Sequence, residues 1–174
     1  MLNVEHGTES IAIMVEGEGL AEVELIHIPC GGTAAEIVAV VAAKGGYMAE
    51  DAVLLAEDCD QPVDLALVVT EEVFGRRIHH VHRARNIEVK VFYQMRHIDR
   101  RFAPSTRVQR ALDWAVGPEG FKIDPSIGPE MELALHGHTT PLPKNAHLGR
   151  YLRHPCHELE LDLIRGVVPN GSCR

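Results

Sequence analysis

Histidine and cysteine are the side chains of this sequence best suited to metal binding. The chain has 11 histidines and four cysteines. Three groups have a spacing that could bring ligands together on one strand face or in one loop: His80 with His82, His136 with His138, and His154 with Cys156 and His157. Zinc sites usually show paired, regularly spaced ligands, and none of these groups recurs in both halves of the chain. The sequence therefore predicts solvated strand and loop histidines, with no metal or other cofactor bound.

The end of the chain, LDLIRGVVPNGSCR, is the second place where chemistry could occur. A strand-like run stops at Ile164, and the residues that follow it offer little to bury. Gly171 stands three residues from the last residue, and a glycine has no Cβ, so its backbone could approach a catalytic group closely. The end is either a frayed terminus or the working part of the protein.

Composition narrows the class of protein. The net charge of −8 argues against a nucleic-acid surface, and no apolar run approaches the roughly 18–20 residues of a membrane span. The early acidic residues do not match a signal peptide, so we expect reduced cysteines and a cytoplasmic location. No phosphate-binding loop, Ser-His-Asp arrangement or GxGxxG motif is present, so the sequence gives no reason to expect an enzyme.

The first half of the chain has the order strand, turn, strand, helix, strand, loop, strand. Thr33 with Glu36 forms the sequence pattern of a capping box that begins the helix, and Gly45 with Gly46 ends it. The predicted apolar positions are Ile11, Ile13 and Val15 in the first strand, Val23 and Leu25 in the second, and Ile37, Val40 and Val41, with Lys44, along the helix. The remaining strands are DAVLL (51–55) and RRIHHVHRA (76–84).

The second half repeats this order. Thr106 with Gln109 predicts another capping box, and Gly117 ends the helix. Trp114 lies at the margin of the apolar stripe of this helix. Three strands are predicted from alternating apolar and polar residues or from apolar runs, namely 87–94, 131–137 and 157–164. Residues 97–102 are predicted to form the return strand of a hairpin. The predicted inward-facing residues are Ile87, Val89, Val91 and Tyr93 in the first strand, Val108, Ala111, Leu112 and Ala115 in the helix, and Leu159, Leu161 and Leu163 in the last strand.

A hairpin, one helix packed across it and two further strands form the β-grasp arrangement. We therefore predict an α+β protein with two tandem β-grasp domains, because one helix stripe in each half must be buried on one sheet face. The predicted boundaries are an extension over 1–9, domains over 10–84 and 85–165, and a flexible tail over 166–174. The alternative is a single α+β domain with seven or eight strands.

The two units, the junction IHHVHRARNIEVKVFY and the glycine-containing tail resemble bacterial multiubiquitin proteins, the tandem ubiquitin-like modifiers of Bil-type antiphage operons. The resemblance spans residues 10–171. It implies a ubiquitin-like protein modifier that is joined to target proteins through an isopeptide bond in antiviral defence. The implied partners are an E1-like activating enzyme, an E2-like conjugating enzyme, a deubiquitinase-like peptidase and target proteins such as phage structural proteins. ATP and zinc would be used by those enzymes and not bound by this chain.

The resemblance also implies roles for the tail. Gly171 would be the conjugated C-terminus, released by cleavage of the Gly171–Ser172 bond, with Gly166 as the second choice. The tail departs from its relatives in having Asn170 before this glycine, where a second glycine is expected. Cleavage would remove Ser172, Cys173 and Arg174, and the residues that partner enzymes recognise would be Arg165, Val167, Val168, Pro169 and Asn170.

Two other functions fit the same fold. A sulfur carrier would end in a thiocarboxylate and donate sulfur, although such carriers are usually single small units whose terminal glycine is already exposed. A non-covalent scaffold would use only its surfaces, and truncation of its tail would have no effect. The tandem arrangement and the three residues after Gly171 favour the modifier.

Overall fold

A computed structural model describes residues 9–166 of the chain. Within this range the chain forms two compact units, one made of 9–85 with 103–105 and the other of 86–102 with 106–166. Each unit contains one four-stranded sheet and one long helix. The domain boundaries expected from the sequence stay a prediction.

The first unit has the strand order β2-β1-β4-β3. Its elements are β1 (Ser10–Gly17), β2 (Glu24–Pro29), α1 (Ala34–Gly45), β3 (Val53–Ala56), the short α2 (Glu71–Phe74) and β4 (His79–His82). The central pair, β1 and β4, is parallel, and β2 and β3 pair antiparallel on the outside. The last strand of the unit therefore lies in the middle of its sheet.

The face of α1 that enters the core consists of Ala34, Ile37, Val38 and Val41. Val40, which the sequence places on this stripe, is partly buried and packs against the core, and Val38, which the sequence did not single out, is buried beside it. The prediction for β2 is on the wrong face. Leu25 is 60% exposed, whereas Ile26 and Ile28 are buried, because the register with β1 turns these two residues toward the helix.

The second unit has the equivalent order β6-β5-β8-β7. Its elements are β5 (Ile87–Tyr93), β6 (Arg96–Phe102), α3 (Val108–Val116), β7 (Met131–Leu135) and β8 (Glu158–Arg165). Again the first and last strands are parallel neighbours at the centre. The predicted inward residues of β5, α3 and β8 are buried, with the exception of Tyr93, which is intermediate.

The capping box predicted at Thr106 is wrong, while the one at Thr33 is confirmed. Glu36 accepts a hydrogen bond from the Thr33 amide at 3.1 Å. In the second unit the helix begins one residue later, so that Arg107 is its N-cap and no side chain caps it. Thr106 is instead fully buried, and its backbone oxygen accepts a hydrogen bond from the Leu148 amide.

The first amides of both helices are satisfied by the backbone of the loop that follows the third strand. In the first unit Ala34 and Ala35 donate to the carbonyl oxygens of Leu67 and Leu65, at 2.9 and 3.0 Å. In the second unit the same bonds run from Val108 and Gln109 to Ala146 and Lys144, at 2.8 and 2.9 Å. Helix ends need such partners for their free amides, and the loops thereby become fixed parts of each unit.

Two sheets of identical order, each with one helix packed on one face, make this an α+β chain of two tandem β-grasp domains. The single-domain alternative is wrong. In the part of the chain that the structure describes, none of the helices has the length and apolar character needed to cross a membrane.

Candidate functional site at the end of the last strand

The C-terminal segment leaves the second domain from the middle of its sheet. β8 is hydrogen-bonded to β5 on one side, in parallel, and to β7 on the other, in antiparallel fashion. Leu159, Leu161 and Leu163 point from it into the core. A strand held on both sides is a fixed support, so the position at which the chain leaves the sheet is well defined.

Arg165 and Gly166 are the last described residues, and both are tied to Glu130. The guanidinium of Arg165 donates to the Glu130 carboxylate, at 2.6 Å from Nε. The Gly166 amide donates to the Glu130 carbonyl oxygen at 2.7 Å. A Cβ added at Gly166 would lie 2.9 Å from a carboxylate oxygen of Glu132 and 3.2 Å from the Glu130 carbonyl oxygen, so the Glu132 side chain would have to move to admit it. These contacts hold the last two described residues against the domain.

Most of the residues assigned to the tail lie outside the described residues. They are Gly171 with the Gly171–Ser172 bond, the recognition residues Val167, Val168, Pro169 and Asn170, and the residues to be removed, Ser172, Cys173 and Arg174. Their roles stay predictions. Arg165 and Gly166 are placed by the structure at the end of β8.

In the first domain an arginine, Arg83, directly follows the last strand at the equivalent position, but it is held differently. Arg83 donates to both carboxylate oxygens of Glu18, at 2.6 Å from Nη2 and 3.1 Å from Nε. Its guanidinium also lies 5.0 Å from the centre of the Tyr47 ring. Burial alone would raise the pKa of the Glu18 carboxyl, but the hydrogen bonds from Arg83 and the charge of His82 hold that pKa below its usual value. Burial beside Glu18 raises the pKa of Tyr47 to about 12.

The prediction of solvated histidines is wrong for β4. His80 and His82 are buried, with Nδ1 atoms 3.9 Å from the carboxylates of Glu16 and Glu18. His79 faces the core, where its ring stacks on Phe74 at 4.9 Å, and burial lowers its pKa. Side chains on both faces of β4 are therefore enclosed, whereas the neighbouring central strand β1 exposes Ala12 and Met14 on its outer face.

The other histidine groups are exposed, as expected. His154, Cys156 and His157 lie in the loop before β8, and His138 follows β7. His136 makes contacts that the sequence did not indicate: its Nδ1 lies 2.8 Å from an Asp162 carboxylate oxygen, and its ring stacks on Phe92 at 4.4 Å. Phe92, an aromatic residue on the polar face of an alternating strand, was the available signal.

The described cysteines Cys30, Cys59 and Cys156 are free thiols. This agrees with the expectation of reduced cysteines, and Cys173 lies outside the described range.

Comparison with known proteins places the second domain in a family. Residues 88–166 match the family model of BilA ubiquitin-like domain 2. Among solved structures, the RA domain of guanine nucleotide exchange factor for Rap1 is similar, with 21% identity, a TM-score of 0.35, and coverage of 47% of this chain and 80% of that chain. No match is found among curated proteins. The second domain is therefore similar to BilA ubiquitin-like domain 2, and it has the same β-grasp sheet order as the first domain.

Proposed function

We propose that this chain is a ubiquitin-like protein modifier, without catalytic residues of its own, that is matured by cleavage after Gly171 and joined to target proteins. The observation that carries the proposal is the match of residues 88–166 to a BilA ubiquitin-like domain whose central strand runs directly into the C-terminal segment. The modifier supplies an electrophile at its C-terminus and a folded surface for its enzymes, which work in the cytoplasm and, in the family that it resembles, in antiphage defence.

The proposed chemistry follows from a glycine carboxylate. An E1-like enzyme joins the Gly171 carboxylate to the α-phosphate of ATP and releases pyrophosphate, giving an acyl-adenylate. A cysteine thiolate of that enzyme attacks the carbonyl, forms a thioester and releases AMP. After transfer to an E2-like thiolate, a target amine attacks, the thiol leaves and an amide bond forms. Because the terminal residue lacks a Cβ, the two thiolates can approach its carbonyl closely.

The geometry at the end of β8 supports Gly171 over Gly166 as the reactive residue. The Gly166 amide is hydrogen-bonded to Glu130, and the carboxylate of Glu132 would touch any side chain placed there. A carboxylate at residue 166 would lie against the domain, where an enzyme channel could not surround it. Gly171 follows five positions later in the sequence, and five residues can extend at most about 18 Å, which is enough to enter such a channel.

Intact-mass measurement after co-expression with E1-like, E2-like and peptidase partners tests the proposal. We expect loss of Ser172, Cys173 and Arg174, followed by an adduct that thiols cleave. A chain shortened to end at Gly171 should form the adduct without the peptidase, and a matched chain ending at Asn170 should not. Gly171→Glu should block processing or activation and leave the fold intact. If neither the full chain nor the chain ending at Gly171 forms an adduct, the proposal is wrong.

The same measurement distinguishes the other two functions. A sulfur carrier would gain the mass difference between sulfur and oxygen at its C-terminus, with no protein adduct. A scaffold would show neither change, and its tail could be removed without effect.

A further inference from the structure

We propose that the edge strand β6 (Arg96–Phe102) of the second domain binds an extended segment of a partner protein, in which acidic residues alternate with apolar ones. The segment would add to the sheet as a fifth strand. The inference does not rest on the proposed function, because it requires no cleavage, activation or conjugation.

The backbone of β6 is available for such pairing. β6 is the outer strand of its sheet, and among the described residues it pairs only with β5. Along an antiparallel ladder every second residue directs its N–H and C=O away from the neighbouring strand, so an edge strand presents a row of free hydrogen-bonding groups. The residues from 96 to 101 are exposed apart from Ile98, which is partly exposed. An incoming strand could therefore reach the edge along nearly its whole length.

Three arginines and one acid, Asp99, lie along this edge, although the chain carries a net charge of −8. Asp99 lies opposite Lys90 and points to the side of the sheet away from α3. Arg96 and Arg100 lie opposite Tyr93 and Val89 in the register and so face the side of the sheet that carries α3. Arg101 points to the other side. A local concentration of arginines in an acidic protein favours a partner of opposite charge.

Aromatic rings hold the two inner arginines in place. The Arg96 guanidinium lies 5.6 Å from the centre of the Phe121 ring, and that of Arg100 lies 5.3 Å from Phe102 and 6.0 Å from Trp114. Charged residues on an edge strand often serve only to prevent aggregation, and for that role they need no fixed position. Guanidinium groups stacked on rings have already lost part of their rotamer freedom, so less entropy is lost when they bind a carboxylate.

Between the two arginines the surface is apolar. Ile98 lies on the same face, midway between them, and is partly exposed. Trp114 of α3 is also partly exposed and meets Phe102 edge to face at 5.5 Å. Arg100 has one carboxylate partner, Glu119, whose side chain is 75% exposed. A surface ion pair of this kind is weak, so a bound peptide could replace it.

This spacing defines the partner segment. Residues 96 and 100 are four apart, which is about 13 Å along a strand. A peptide strand paired with β6 would place carboxylates at two positions four residues apart and a β-branched apolar side chain at the position between them. The recognition pattern is thus acidic-x-apolar-x-acidic, with strand-forming residues at the x positions.

A fluorescein-labelled peptide with the core Asp-Thr-Ile-Thr-Asp, flanked by further Val and Thr residues, tests the surface on the full-length chain by fluorescence anisotropy. We expect saturable binding and a change in the emission of Trp114. Arg96→Glu combined with Arg100→Glu should weaken binding by at least about tenfold, since two close charge pairs become repulsive. The matched control, Lys144→Glu with Arg153→Glu, changes two exposed charges elsewhere in the same domain by the same amount and should weaken it less than about twofold.

Two further measurements separate strand addition from charge attraction alone. The same peptide with N-methyl groups at alternate residues of its pairing edge should lose binding, because it can no longer donate to β6. Amide chemical-shift changes on titration should concentrate in β6 and α3. If the double Glu variant does not fold, Arg96→Gln with Arg100→Gln replaces it. Absence of binding to the native chain, equal weakening in both charge variants, or unchanged binding of the N-methylated peptide would each overturn the proposal.

Discussion

The two domains share one fold but end it in different ways. An arginine stands at the equivalent place at the end of each last strand: Arg83 directly follows β4 in the first domain, and Arg165 is the last residue of β8 in the second. Arg83 is 26% exposed, bonds both oxygens of Glu18 and covers the ring of Tyr47. Arg165 is 65% exposed and bonds Glu130 at the surface. The arginine at the end of β4 is thus mostly enclosed, whereas the arginine at the end of β8 is mostly exposed.

This difference shows which parts of a β-grasp domain the fold requires. Sheet order, the parallel central pair and the bonds at the helix N-terminus are the same in both domains. The contacts made by the chain at the end of the last strand differ between the two domains, so the fold does not require them. In the first domain Arg83 is held by packing on Tyr47 and by Glu18, whereas among the described residues of the second domain Arg165 is held by Glu130.

The largest expected effect comes from Glu18→Ala. This change leaves Arg83, mostly enclosed and charged, without the carboxylate that satisfies it, and we expect a loss of about 2 kcal/mol in the free energy of unfolding of the first domain. Hydrogen exchange of the β4 amides measures it. The only tryptophan, Trp114, belongs to the second domain, so its unfolding transition serves as the control. Unchanged exchange in β4 would mean that the enclosed ion pair does not stabilise the domain.

The next largest effect is a pH dependence of the free energy of unfolding, and it is confined to the first domain. His79 occupies the core position that Leu161 fills in the second domain. Burial lowers the pKa of His79 in the folded state. As the pH falls through about 6.5, the His79 side chain of the unfolded chain is therefore protonated before that of the folded chain. Stability is therefore complete above that pH and falls as the pH decreases toward the folded pKa, by at most about 1.4 kcal/mol per pH unit.

His79→Leu should remove this contribution. We expect the denaturation midpoint of the first domain to change less between about pH 7.5 and about pH 5.5 in the variant than in the native chain. The difference between the two slopes is the quantity to compare, because it isolates the contribution of residue 79. Equal slopes would show that His79 is not kept neutral by burial.

A smaller effect, in the direction of greater stability, is expected in the first hairpin of the second domain. Gln94 and Met95 adopt φ of 46° and 63° in the turn between β5 and β6, which is unfavourable for residues other than Gly, Asn and Asp. Replacing them with Asn and Gly should stabilise the domain by about 1 kcal/mol, read from the Trp114 transition. In the first domain the equivalent turn already has Gly19 at φ 87°, so Gly19→Ala should instead destabilise. Destabilisation by the Asn-Gly turn would contradict this account.

The smallest effect is expected for Glu130→Ala. Its partner Arg165 is largely exposed, so the loss in unfolding free energy should be below about 0.5 kcal/mol. The contrast with Glu18→Ala is the direct test of the comparison between the two strand ends. A loss as large as that for Glu18→Ala, measured by the Trp114 transition, would mean that the terminal strand end is held as firmly as the internal one.

The sequence predicted the elements whose pattern depends on neighbours close in the chain. The alternation in β5 and β8 and the stripe of α3 are local, and they gave the correct buried faces. The capping box of α1 was found for the same reason. The match of the second domain to its family bears out the resemblance drawn from the order of the elements and the junction.

The errors came from features set by distant residues. Val23 and Leu25 alternate as well as Ile26 and Ile28, and only pairing with β1 decides which face is inward. His80 and His82 have the pattern of an exposed strand face, yet the fold buries both, and no neighbour close in sequence indicates this. Thr106 matched a capping pattern, but the loop through Leu148 shifts the helix start by one residue. The contact of Arg100 with Trp114 joins a strand to a helix and has no short-range signal.

The parallel pairing of β5 with β8 also determines how the second domain meets a mechanical force. β5 begins where the chain enters the domain and β8 ends where it leaves, and the five residue pairs from Glu88↔Glu158 to Phe92↔Asp162 join them. Tension applied between the entry and the exit pulls the two strands in opposite directions along their length. The pairs then bear the load together instead of opening one after another. An unfolding enzyme that pulls on the C-terminus must therefore separate β5 from β8 before the rest of the second domain unfolds.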